Sequence, residues 1–195
     1  EFQKEFPKCR LSIEPGDTKE IVESLRANTI DVAVTLEPER ELDFTFSPLF
    51  TDELMFLVNP KHAWAEARRA VRMEIPREQY ILYFRNSRTF EQIENYFRTE
   101  KMAIKSVIDM GSMSAIKELV KLGLGVTILA PWVAKNELTK KSLVALPLGR
   151  RKLKRQWGVL YWKERPMGWA EDTFIKLCQS GARQFAASNG LRAHV

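Results

Sequence analysis

Strand-like and helix-like periods alternate along this chain from one end to the other. That order confines it to crossover units, in which helices return successive strands to largely parallel sheets. Leu11 and Ile13 alternate with polar neighbours as a short strand. Asp17 stands three residues before Glu20, a capping-box spacing, and Ile21, Val22 and Leu25 form one apolar helical face that Asn28 ends as a left-handed stop. Ile30 to Leu36 is a nearly continuous apolar run, short and branched enough to be a buried strand, and Pro38 ends it. Pro48 and Leu49 lead into a second buried strand, Glu53 to Val58, which closes at Asn59-Pro60. A lobe boundary is expected there.

The next unit opens with the run YILYF, Tyr80 to Phe84, as a strand. Thr89 and Gln92 then have capping-box spacing ahead of a helical stripe of Phe90, Ile93, Tyr96 and Phe97, which reads as core. Ser106 to Met110 is a further strand. Gly111, Ser112, Met113 and Ser114 turn it into a helix with Ile116, Leu119 and Val120 inward. Gly123 and Gly125 stop that helix before a strand from Val126 to Ala130. Leu143 to Leu148 and Trp157 to Trp162 are strands flanking a basic turn. A last helix runs from about Trp169 to Ala187 with Phe174, Leu177, Cys178 and Phe185 inside.

With 195 residues, 45% of them hydrophobic, the chain can bury roughly 70% of its unfolded surface and needs no disulfide scaffold. No apolar stretch reaches ~18 residues, and Glu1 to Arg10 is charged throughout, unlike a signal peptide or membrane span. Cys9 and Cys178 stand alone and read as free buried thiols. His62 and His194 are equally isolated, so neither a metal site nor a cofactor is expected.

The net charge of +6 is local. Lys135 to Arg165 holds ten basic and two acidic residues, a net of +8, leaving −2 for the remainder. Arg150, Arg151, Lys152, Lys154 and Arg155 could attract an anion or nucleic acid. A solvated strand edge explains them equally directly and is the preferred reading.

Most catalytic constellations fail on spacing. Gly111 to Ala115 reads GSMSA, with Met113 where a nucleophile elbow needs serine. Gly123-Leu124-Gly125 runs from helix into strand, the reverse of a pyrophosphate-binding turn. Glu37, Glu39 and Glu41 are loop charges without a paired-carboxylate setting. What survives is a set of small polar groups at strand ends, where ligands of open α/β sheets bind. Ser112 and Ser114 stand at a helix start and have no acid three residues later, so the first amides can receive an anion. Asn86, Ser87, Arg88 and Thr89 follow the YILYF strand, and Arg88 could grip a carboxylate in bidentate fashion. Thr35 ends the IDVAV strand. For Ser112, Ser114 and Thr89, capping their own helices is the competing explanation.

The ordered segments resemble the effector-binding domain of LysR-type transcriptional regulators. The resemblance is carried by Phe6-Pro7 with Leu11 and Ile13, Gly16, Leu25, Ile30 to Val34, Pro48-Leu49, Glu53 to Pro60 followed by His62, and above all VKLGLGVTILAP, Val120 to Pro131. It runs from about Phe2 to Phe185. It implies an α/β, two-lobed fold like that of type II periplasmic binding proteins, each lobe a mostly parallel sheet flanked by helices. Lobe I would be 1–58 plus 163–195 and lobe II 59–162, with crossings near Val58 to Pro60 and Tyr161 to Lys163. The effector, a small anionic metabolite, would lie between the lobes. The family's contacts would fall on Ser87 and its neighbours after the YILYF strand and on Ser112 and Met113, in agreement with the strand-end reading; the expected ligand-binding set is Thr35, Phe84, Asn86, Ser87, Arg88, Ser112, Met113 and Ser114.

The resemblance also implies a cytoplasmic regulator that pairs with copies of itself and meets DNA only through a helix-turn-helix domain not in this chain. The chain begins inside what the resemblance makes the first helix, so the opening strand of lobe I is expected to be missing. A solute-binding protein of the same fold serving a transporter is the alternative. A nucleic-acid binder using the basic run is a second, and an enzyme is the weakest.

Overall fold

The structure is a computed structural model that describes residues 2–39 and 42–194, so Glu41 lies outside the described residues. In chain order the elements are α1 (Phe2–Glu5), α2 (Thr18–Arg26), β1 (Ala33–Leu36), β2 (Phe44–Val58), α3 (Ala63–Glu66), β3 (Gln79–Tyr83), α4 (Arg88–Thr99), β4 (Ser106–Met110), α5 (Met113–Lys121), β5 (Thr127–Leu129), α6 (Lys135–Thr139), β6 (Val144–Pro147), β7 (Leu153–Trp162), α7 (Trp169–Asn189) and β8 (Arg192–Ala193). They form two compact units, Glu1–Asp52 with Arg155–Val195 (unit 1) and Glu53–Lys154 (unit 2), and the divisions fall inside β2 and β7.

Unit 2 is the crossover body that the alternation predicts. β3 and β4 run parallel from Gln79↔Ser106 to Tyr83↔Met110, and Tyr80 bridges Val126 in parallel on the β5 side. β2 runs antiparallel to both β5 and β6. The stripe on α4 is buried as expected, with Phe90, Ile93, Tyr96 and Phe97 each 5% exposed or less. It closes on Phe56, Trp64 and Tyr80, whose rings pack 5.1 to 6.5 Å apart. A second cluster joins Ile116 and Val120 of α5 to Leu57, Ile81 and Leu129. The glycine stop holds too. Gly123 has φ +77°, and a Cβ on Gly125 would lie 2.5 Å from the Gln79 carbonyl oxygen, so only glycine lets β5 approach β3 there.

In unit 1, α2 carries the capping box read from Asp17 and Glu20, and Asn28 has φ 54°. Val22 and Leu25 pack on Ala33, Phe44 and Leu160. α7 packs Ile175, Ala182 and Ala186 against Leu49, Phe50 and Val159.

Several expectations are corrected. Leu11 and Ile13 form no strand and are 38% and 82% exposed, because an alternating pattern yields a strand only where a neighbour offers a ladder. In unit 1, β1 pairs with β7 and β8 with β2, both antiparallel. Here the chain leaves and returns along strands rather than through helical crossovers. β2 begins at Phe44 and runs through Pro48, since proline's fixed φ fits extended backbone and only its donor is lost. The run Ile30 to Leu36 yields only the four-residue β1, with Val34 49% exposed, so it is buried on one face. On α7, Ile175, Ala182 and Ala186 are the buried residues, while Phe174 and Leu177 are half-buried. Cys9 is exposed in the turn after α1, and Cys178 is half-buried; burial raises its thiol pKa. Both are free. Lys154 and Arg155 belong to β7 rather than to the basic turn.

Candidate functional site

Because β3 and β4 are parallel neighbours ending at Tyr83↔Met110, their exits lie side by side, and each turns directly into a helix. α4 is capped by Ser87, not by Thr89. The Phe90 amide donates to Ser87 Oγ at 3.1 Å, and Ser87 is 1% exposed. Two hydroxyls compete for that position, and the strand's exit at Tyr83 brings the earlier one to the cap. α5 is capped by Ser112, whose Oγ accepts from the Ala115 amide at 3.3 Å while the residue stays exposed. The residues three beyond the caps are Phe90 and Ala115, so neither helix carries a reciprocal carboxylate.

Phe84 lies just past β3, 49% exposed, with its ring against Gly111: a Cβ there would meet Phe84 Cζ at 2.5 Å. Tyr83 packs 4.8 Å from it. Sequence reasoning placed Phe84 inside the strand and did not foresee that Gly111 makes room for its ring. Asn86 and Ser114 are exposed on the same two turns. Met113 is half-buried against the cluster around Ile116. The Arg88 guanidinium, only 12% exposed, turns to Glu91 of its own helix at 3.3 Å. Thr35 belongs to unit 1, is 4% exposed, and donates to Thr18 Oγ1 at 2.9 Å. Phe84, Asn86, Ser112, Met113 and Ser114 are therefore brought to one edge of unit 2, with Ser87 and Arg88 behind them.

That edge is rigidly backed. Asn59 Nδ2 donates to the Lys121 carbonyl at the far end of α5. Lys117 of α5 pairs with Glu137 of α6 at 3.0 Å. Burial would raise the Glu137 carboxyl, but hydrogen bonding and charge from Lys117 outweigh it and hold the group below its ordinary value. Neither anchor was legible from spacing. Arg85, also missed, donates its amide to Asp109 Oδ2 at 3.4 Å and ties the two exits together. His62 accepts from the Trp64 amide as the cap of α3, and His194 Nε2 contacts Thr51 Oγ1 at 2.6 Å. Among the described residues no group of three or more His, Cys, Asp or Glu is placed to hold a metal ion, and no helix is long and apolar enough to cross a membrane.

Strand C-termini followed by helix N-termini on one edge are where open α/β sheets bind ligands, and the fold is similar to that of LysR regulatory domains, of the type II periplasmic-binding-protein kind. The chain belongs to the LysR substrate binding domain family, whose model matches residues 1–183. It is 23% identical over 175 residues to the HTH-type transcriptional activator CmpR of Synechocystis sp. (strain ATCC 27184 / PCC 6803 / Kazusa), covering 90% of this chain and 58% of that protein. The chain thus spans less than two thirds of the length of the curated relatives it matches. The effector binding domain of QuiR in complex with shikimate superposes with a TM-score of 0.78 at 20% identity, covering 94% of this chain and 87% of that one. The regulatory domain of CcmR from Synechocystis PCC6803 in complex with 2-PG gives 0.80 at 20% identity, covering 93% and 88%. The curated relatives are transcriptional regulators.

Proposed function

We propose that this chain is the ligand-sensing regulatory domain of a bacterial-type DNA-binding transcription regulator, and that a small anionic effector docks on the edge formed by Phe84, Asn86, Ser112, Met113 and Ser114. The adjacent exits of β3 and β4 support this most: each leads within a few residues into a helix, so two helix N-termini start from neighbouring strand ends, where dipoles and leading amides favour negative charge. Similar domains were solved with shikimate, a carboxylate, and with 2-PG. Ser87 holds α4 in place as its cap, and Thr35 holds β1 to α2; we assign both a supporting role. Operator contact would come through a helix-turn-helix domain outside this chain, in a cytoplasmic assembly of several copies. Curated relatives that are transcriptional regulators favour this over a transporter's solute-binding protein, and no reaction is assigned to the site.

Thermal unfolding against shikimate, 2-PG and a panel of small carboxylates and phosphate esters tests the reading, because stabilisation grows with ligand concentration over Kd. At least one of these anions is expected to raise Tm progressively. Ser112→Gly keeps the cap to within a few tenths of a kcal/mol but removes the hydroxyl, so it should weaken that response while leaving the ligand-free Tm nearly unchanged. Ser87→Ala should instead cost about 1 kcal/mol of stability without ligand. A panel that never shifts Tm, or a response that Ser112→Gly leaves intact, removes the assignment.

A further inference from the structure

The basic run picked out in the sequence does not act as one strip. Arg155 turns inward to Asp52 and is 6% exposed. The exposed members, Arg150, Arg151, Lys152 and Lys154, surround the β6–β7 connection. The fold adds two cations from distant sequence. Arg72 and Arg151 both reach Glu100, at 3.4 and 3.0 Å, and Lys101 follows it at the end of α4. Glu100 and Glu53, the latter paired with Lys152 at 2.9 Å, are the acids in contact with this group. Six cations thus meet two carboxylates, in a unit with 19 basic and 10 acidic residues, a net of +9.

We infer that this surface of unit 2 contacts the phosphate backbone of nucleic acid. Arg151 is its built element. Its guanidinium stacks 4.3 Å above the Tyr96 ring, donates to the Tyr96 carbonyl at 2.9 Å, and is matched by Tyr96 OH donating to the Arg151 carbonyl at 2.8 Å. A guanidinium held this way loses little rotamer freedom on binding, and its side chain is still 45% exposed. Arg72, 62% exposed and anchored through the Glu100 carbonyl at 2.6 Å, is a second fixed fork beside it. Favourable placement at the C-terminal end of α4 accounts for these two arginines. It does not account for Arg150 and Lys152 on the neighbouring turn or for Lys154 at the start of β7. Fixed arginine forks flanked by exposed lysines match closely spaced phosphates, which take bidentate contacts and release counterions.

Fluorescence anisotropy of this chain with a labelled DNA duplex of mixed sequence tests this without any effector, so it can fail while the effector reading stands. If about four phosphates are neutralised, affinity should fall about a hundredfold between roughly 50 and 200 mM salt. The triple variant Arg150→Gln, Lys152→Gln, Lys101→Asn should lower the log–log salt slope by about 2 to 3. Asparagine suits the left-handed backbone at Lys101, φ 55°. Should the triple variant lose its native circular dichroism, Arg150→Gln alone should lower the slope by about 1. No salt-sensitive binding at about 50 mM, an unchanged slope in a folded variant, equal competition by polyglutamate, or a signal that tracks self-association of the chain would each overturn the inference.

Discussion

Asp52→Ala is expected to cost about 3–5 kcal/mol of unfolding free energy, the range for breaking a buried ion pair from one side. Asp52 is 1% exposed and Arg155 6%. Arg155 Nε donates to Oδ1 at 2.9 Å and a terminal nitrogen to Oδ2 at 2.6 Å, while Trp157 Nε1 donates to the same Oδ2 at 3.0 Å. Removing the carboxylate takes from a buried guanidinium and an indole N–H the acceptor they share. Denaturant unfolding checks the value. Lys152→Ala, which breaks the exposed pair with Glu53, serves as the comparison and should cost under about 1 kcal/mol. An Asp52→Ala loss no larger than that would show the buried pair to be energetically replaceable.

Phe56→Ala should do comparable damage in unit 2, about 3–5 kcal/mol. The ring is fully buried and touches Trp64, Tyr80 and Phe97 with centroids 5.1, 6.5 and 6.2 Å away. Three large aromatics cannot collapse into the space it leaves, so the cavity term adds to the lost transfer energy. Phe56→Leu, which refills much of the volume, should recover more than half of the loss in the same experiment. Because total stabilities of such domains are only about 5–15 kcal/mol, either alanine variant should also lower the yield of folded protein.

Local patterns were legible and distant partnerships were not. Asp17 with Glu20, the stripe on α4 and the glycine stop at Gly123 to Gly125 each lie within a single helix or one tight connection, where period and capping chemistry decide the outcome. The order of the packing motifs carried the family resemblance, and with it the fold. Asp52 and Arg155 are 103 residues apart, and no spacing rule links them. The same holds for Arg72 and Arg151 around Glu100. Leu11 and Ile13 show the opposite failure: a correct local alternation with no strand beside it. At the candidate site, the sequence named the turns but not the exposure that separates Ser112 from Ser87, because burial of a cap depends on what packs above it.

The divisions inside β2 and β7 have a practical corollary for dissecting the molecule. Unit 2 is inserted into unit 1 as one uninterrupted stretch from Glu53 to Lys154, so a single fragment encompasses it, whereas no contiguous fragment encompasses its host. The two cut ends of the host, Asp52 and Arg155, already grip each other through their side chains. A few linking residues should therefore suffice to splice them, yielding a miniature of unit 1 in which that grip replaces the excised insert.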